Sequence, residues 1–186
     1  SKKVFKRKQK AYALKKDMTI VGISNWINEC SKSSTLLKDK NHINIPNPID
    51  TNTFKPFDKD KARELWSLPK DKKLVLFGSY FATSDINKGF KELSDAMGQF
   101  TSKEIEIVVF GSSQPQNAPD FGFKTHYLGF LADDVSLVTL YSAVDVMLVP
   151  SLQEAFGLTA GESMACGTPV VAFGATGLLD IVEHQK

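Results

Sequence analysis

The sequence predicts an α/β fold, a parallel sheet with helices on both faces, and three observations predict it. From residue 73 onward, short apolar runs alternate with stretches of helical spacing, the pattern of strands joined by crossover helices. Several of the runs lead straight into Gly or Ser, placing small residues at the carboxyl ends of strands, where open α/β sheets bind ligands. The 186 residues, 42% of them hydrophobic, suffice for one such core and an appendage but not for two complete domains.

Taken in order, residues 18–23 (MTIVGI) form a strand candidate, Ser24 and Asn25 a helix start, and a helix continues through Trp26 to about residue 33. In residues 43–50 (INIPNPID) two prolines forbid a helix and favour an extended crossing segment. Residues 58–68 are expected as a surface helix. Strands follow at 73–78 (KLVLFG), 105–111 (IEIVVFG), 126–129, 145–150 (DVMLVP) and 169–173 (PVVAF), with helices at 88–100, 133–144 and 157–165. No internal repeat or low-complexity tract interrupts this pattern. Residues 1–45 therefore read as the last pieces of one domain, 46–56 as a linker, and 57–186 as a second domain truncated at its carboxyl end.

Charge is unevenly spread. The chain carries +2 overall, yet residues 1–16 hold only basic charges (Lys2, Lys3, Lys6, Arg7, Lys8, Lys10, Lys15 and Lys16), so the remainder is acidic. This balance gives no overall bias toward nucleic acid. The basic start is either a solvated helix face or a peripheral contact with an anionic membrane. No run approaches the roughly 20 apolar residues of a membrane span, and no secretory signal follows the basic start, so the expected location is cytoplasmic. Cys30 and Cys166 lack metal-ligand spacing and read as reduced thiols. His42, His126 and His184 are far apart and are assigned structural roles. Asp58-Lys59-Asp60 and Asp133-Asp134 precede helices and read as caps.

The densest signal is Glu154-Ala-Phe-Gly-Leu-Thr-Ala-Gly-Glu162, at the end of strand DVMLVP. Amides around Phe156, Gly157 and Leu158 are the unsatisfied donors of a starting helix, which with the helix dipole suit a diphosphate. Gly157 removes a side chain where phosphate approaches. Glu154 and Glu162 flank this point, and a carboxylate can accept hydrogen bonds from two vicinal hydroxyls. A nucleotide sugar has a polyol on each side of a diphosphate. Without that context, the two carboxylates would be surface groups favoured by the dipole alone.

Two glutamates separated by seven residues, in the setting PSLQEAFGLTAGESMACGTPVVAF, resemble the signature of family-four retaining glycosyltransferases. SNWINEC at 24–30, IPNPID at 45–50, LFGS with NKGF at 87–90, VVFGSS at 108–113 and YLGF at 127–130 agree in order. The resemblance covers roughly residues 18–183. It implies the carboxyl-terminal, Rossmann-like half of a GT-B fold, incomplete here, with residues 1–45 left from the amino-terminal acceptor domain. By position, Glu154 would bind the donor sugar, Glu162 the ribose hydroxyls and Lys88 the donor phosphates. Gly78 and Ser79 would line the phosphate turn, and Ser112 and Phe130, at strand ends, could face the base.

Two positions depart from the family pattern. Where many members have Gly-Arg, this chain has Gly78-Ser79, so Lys88 would neutralise the diphosphate with hydroxyl help from Ser79 or Ser84. Gly161, where the family has a larger residue, costs about 1 kcal/mol in a helix relative to Ala unless another group packs closely against it.

The implied reaction transfers a sugar from a nucleoside diphosphate sugar, UDP or GDP, to an acceptor hydroxyl with retention. No cofactor or metal is expected. The acceptor, a saccharide or lipid-linked saccharide, would be held by the missing domain, so the fragment is expected to bind donor without transferring it. Two rivals stay open. A nucleotide-sugar epimerase shares the fold but needs acid/base residues acting on the sugar, and a non-catalytic nucleotide-binding module would not require Glu154 and Glu162.

Overall fold

Residues 1–15, 17–78, 85–111 and 121–183 are described in the computed structural model; Ser79, Ser84, Ser112 and His184 lie outside the described residues. The chain divides into two compact units, Ser1–Pro48 and Ile49–Lys186. Among the described residues, no helix is long and apolar enough to cross a membrane.

In the first unit, helix α1 (Lys2–Ala13) buries none of its residues. Strands β1 (Thr19–Gly22) and β2 (Asn41–Asn44) pair in parallel around helix α2 (Asn25–Ser33). The Ser24 hydroxyl caps α2 by accepting the Ile27 amide, as its place before an amphipathic run predicts. β2 was not expected as a strand: its local sequence, NHIN, is poor in strand formers, and the ladder with β1 supplies what propensity does not. His42 has the expected structural role, its Nε2 lying 3.1 Å from Ser31 Oγ.

The second unit opens with α3 (Lys59–Leu65), capped by the Asp58 carboxylate, which accepts the Lys61 amide. This helix is shorter than expected and is not a plain surface helix, because Ala62 and Arg63 are buried. There follow β3 (Lys73–Gly78), α4 (Phe90–Met97), β4 (Ile105–Phe110), β5 (Thr125–Tyr127), α5 (Asp134–Ala143), β6 (Val146–Val149), α6 (Leu158–Ala165) and β7 (Val170–Ala172). The strands lie in the order β5-β4-β3-β6-β7, all parallel.

The long apolar runs of β3 and β4 follow from burial on both faces. Leu74, Leu76, Val108, Phe110 and Met147 meet Ala62 of α3, Leu140 and Tyr141 of α5 and Ala160 of α6. On the other face Phe77, Ile107 and Val109 meet Leu93 and Met97 of α4. The chain leaves β3 for β4 and β5 on one side, then returns to lay β6 against the opposite edge of β3. That reversal makes the carboxyl ends of β3 and β6 a topological switch point, the position where ligands bind in doubly wound sheets.

Candidate functional site

Glu154 and Lys88 meet at this reversal. Lys88 ends a 3-10 turn, Ile86–Lys88, after β3, and Glu154 lies in the loop after β6. The Lys88 Nζ donates to Glu154 Oε2 at 2.7 Å, with both side chains about four-fifths buried. Lys88 is therefore not a helix-start residue: Gly89, at φ 68°, breaks the backbone before α4 begins at Phe90.

The two loops are locked together by backbone contacts. Leu152 N–H donates to the Asn87 carbonyl at 2.8 Å, and a Cβ on Gly89 would fall 1.8 Å from the Pro150 carbonyl oxygen. Glycine after Lys88 is thus required by both conformation and close approach. An ammonium has three donors, so Lys88 can hold Glu154 and still offer protons to a phosphate.

The backbone of Glu154 is fixed from the far side. Its amide donates to Thr176 Oγ1 at 3.0 Å, and its carbonyl accepts the Gly177 amide at 2.9 Å. Thr176 takes a φ of 54°, a strained choice for a β-branched residue, at the start of the 3-10 turn Thr176–Asp180. Thr176 escaped the sequence reading because nothing in ATGLLD signals contact with a loop more than twenty residues earlier.

One turn on, α6 begins at Leu158 with Gly157 as its cap at φ 99°. Among the described residues, the amides of Gly157, Leu158 and Thr159 meet no acceptor, as helix geometry dictates for a first turn. Phe156 is buried and Leu158 exposed. Gly157 has a packing reason beside the one expected: a Cβ there would lie 2.7 Å from Leu178 Cδ2. Gly161 is likewise explained by close approach, a Cβ falling 2.1 Å from Ile49 Cδ1.

Glu162, one turn farther along α6, accepts a hydrogen bond from the Tyr141 hydroxyl at Oε2, 2.9 Å away. Burial first, and then the charge of Asp134, push its carboxyl above the ordinary value, while the Tyr141 bond pulls it down. Cys166, closing α6, is buried, and its thiol is pushed up to about 11 by burial and by the nearby Glu162 charge. It packs as a small apolar group, in line with the sequence.

The remaining candidates are less closely gathered. Gly78 ends β3 and is buried, and a Cβ on it would meet Phe110 Cδ1 at 2.3 Å, so packing against β4 accounts for it. Phe130 is 54% exposed, after Gly129, whose carbonyl accepts the Gly111 amide at 2.7 Å. A depression of about 650 Å³ between Phe100, Lys103 and Phe121 lies at the amino end of β4, away from all these groups. Among the described residues, no three His, Cys, Asp or Glu side chains converge as a cation site requires.

Comparison with known proteins bears on the family and the fold. A D-inositol 3-phosphate glycosyltransferase of Xylanimonas cellulosilytica is 34% identical over 161 residues, 77% of this chain and 37% of that protein. A GDP-mannose-dependent alpha-(1-6)-phosphatidylinositol dimannoside mannosyltransferase of Mycobacterium tuberculosis is 28% identical over 152 residues, 78% of this chain and 39% of that one. Sucrose-phosphate synthase from Thermosynechococcus elongatus superposes with a TM-score of 0.74 at 29% identity, covering 93% of this chain and 45% of that structure. The chain thus spans well under half the length of these curated relatives. The family described as glycosyl transferases group 1 matches residues 71–186, more than half of the sequence, and the chain belongs to that family.

Proposed function

We propose that residues 49–186 bind the nucleoside diphosphate sugar donor of a retaining glycosyltransferase, and that residues 1–48 belong to the domain that holds the acceptor. The observation that carries this reading is the Lys88–Glu154 pair, 2.7 Å apart at the β3/β6 reversal and one turn ahead of the open amides of α6. A diphosphate at that helix start would meet the amides of Gly157 to Thr159 and the two remaining Lys88 protons. Glu154 would hold the sugar and Glu162 the ribose.

In the transfer, the bond from the anomeric carbon to the β-phosphate oxygen breaks as the acceptor hydroxyl bonds that carbon and passes its proton to an oxygen of the departing phosphate. Negative charge grows on the departing phosphate, where fixed amides and an ammonium stabilise it without reorganising. Glu154, clamped at its backbone by Thr176 and Gly177, keeps the sugar oriented so that attack comes from the phosphate face. The family and the GDP-mannose-dependent relative support a nucleotide-sugar donor; UDP and GDP are the bases to test first. The acceptor would be a saccharide or a lipid-linked saccharide, with synthesis at the cytoplasmic face.

Calorimetry separates the two carboxylate roles. Glu162→Ala should weaken both the nucleoside diphosphate and its sugar conjugate by about 1.5–3 kcal/mol, the worth of hydrogen bonds to a charged group. Glu154→Ala should weaken mainly the conjugate, and binding should persist in excess EDTA. Equal losses of free diphosphate in both variants would refute the assignment.

A further inference from the structure

Tyr141 is fully buried in the last turn of α5, yet it is a tyrosine rather than a phenylalanine. Its hydroxyl has one partner among the described residues, Glu162 Oε2 at 2.9 Å. The rest of the residue is held on two sides. Its ring stands edge-on to Phe110, centroids 6.1 Å apart, and its carbonyl accepts the Thr168 hydroxyl at 2.7 Å. Phe110 is itself seated in the space left by Gly78, where a Cβ would collide with it.

A line of fixed contacts thus runs from the end of β3 through β4 and α5 to the carboxylate on α6. At its far end, Glu162 Oε1 meets no donor among the described residues. One oxygen is anchored and the other is left to accept.

Resting on the donor-site reading above, we propose that Tyr141 is a positioning residue: its buried hydroxyl holds one Glu162 oxygen so that the other accepts from the ribose, and this sets the preference for ribonucleoside over 2′-deoxyribonucleoside diphosphates. The anchoring also favours the ionised carboxylate. The charged and titratable groups facing Glu162 are Asp134 and Tyr141 of α5 and Cys166 at the end of α6. Asp134 and burial oppose ionisation, and the Tyr141 hydroxyl counters them. Removing that hydroxyl therefore raises the pH below which the acceptor is lost.

The test compares the parent, Tyr141→Phe and Glu162→Ala in binding whichever of UDP or GDP binds the parent more tightly, together with its 2′-deoxy counterpart, across a pH series. Tyr141→Phe should bind the ribonucleotide about tenfold more weakly, narrow the ribo/deoxy ratio, and move the acid limb of binding to higher pH. If Glu162→Ala weakens binding but Tyr141→Phe leaves affinity, ratio and limb unchanged, the inference is overturned and the donor-site reading stands. If Glu162→Ala changes nothing, or neither nucleotide binds the parent, both fall. A readout free of substitution covers a Tyr141→Phe chain that does not fold: the slowly exchanging hydroxyl proton of Tyr141 in the parent should shift on nucleotide addition. A hydroxyl resonance unmoved at saturation counts against the positioning role.

Discussion

The two ends of the five-stranded sheet treat their charged groups in opposite ways. At the amino end, Asp145 is saturated: it accepts from Lys59 Nζ at 2.7 Å, Arg63 Nη2 at 2.9 Å and the Leu74 amide at 2.7 Å. Burial works to raise its carboxyl, but these donors hold it below its ordinary value. Arg63, buried, spends its other protons on the carbonyls of Ala143, Pro69, Lys70 and Lys72. At the carboxyl end Glu162 has one neutral donor and a carboxyl pushed upward, Lys88 has protons to spare, and the first amides of α6 are open. Where every polar group is satisfied, the arrangement serves stability. Where capacity is left over, it is what the proposed donor site would use to hold a ligand.

The largest expected effect breaks the satisfied end. Arg63→Ala leaves Asp145 short of its buried partner and strands several carbonyls, so denaturant unfolding should show a loss of about 3–5 kcal/mol. Nucleotide affinity of the folded fraction should stay at the parent's value. At the open end Lys88→Ala should weaken nucleoside diphosphate by about 1.5–3 kcal/mol in calorimetry. Because it leaves the mostly buried Glu154 carboxylate without its partner, it should also lower stability in unfolding, though by less than Arg63→Ala, whose guanidinium holds five acceptors. Nucleoside without phosphates should bind parent and variant alike. An unchanged diphosphate affinity would leave the phosphates to the α6 amides.

The same contrast explains what was legible in the sequence. β3, β4 and β6 were legible because burial on both faces demands unbroken apolar runs, and the placement of Glu154, Gly157 and Glu162 around a helix start because a strand, loop and helix start have a local spacing. The caps at Ser24, Asp58 and Asp133 were equally local. What escaped is non-local. Arg63 fell in an expected surface helix because its acceptors come from residues 69–72 and 143–145, outside that helix. Nothing in the sequence singles out Tyr141, because only the fold brings α6 beside it. Thr176 and the β1–β2 ladder also depend on partners distant in sequence. Gly161 stood out as an anomaly and Gly78 as part of the expected phosphate turn, and the packing reason for each, Ile49 and Phe110, became visible only in the folded chain.

A smaller effect sharpens the comparison in the direction of stability. The folded carboxyl of Glu162 lies above its unfolded value, so ionising it costs stability: the cost is absent below about pH 4.5 and grows as pH rises through the folded value. Glu162→Gln keeps an acceptor for Tyr141 and removes the charge. Thermal melts should show the variant gaining on the parent as pH rises from acid to neutral, while losing nucleotide. A constant difference across that window would mean that the site carries no electrostatic strain.

The most direct measurement follows backbone amides in ¹⁵N-labelled protein during titration with UDP and with GDP. The account predicts that Gly157, Leu158 and Thr159 shift and saturate together with binding, because their open donors receive the diphosphate, whereas Leu74, whose amide is already committed to Asp145, stays in place. Saturable binding that leaves those three amides unmoved would contradict a donor site at the start of α6.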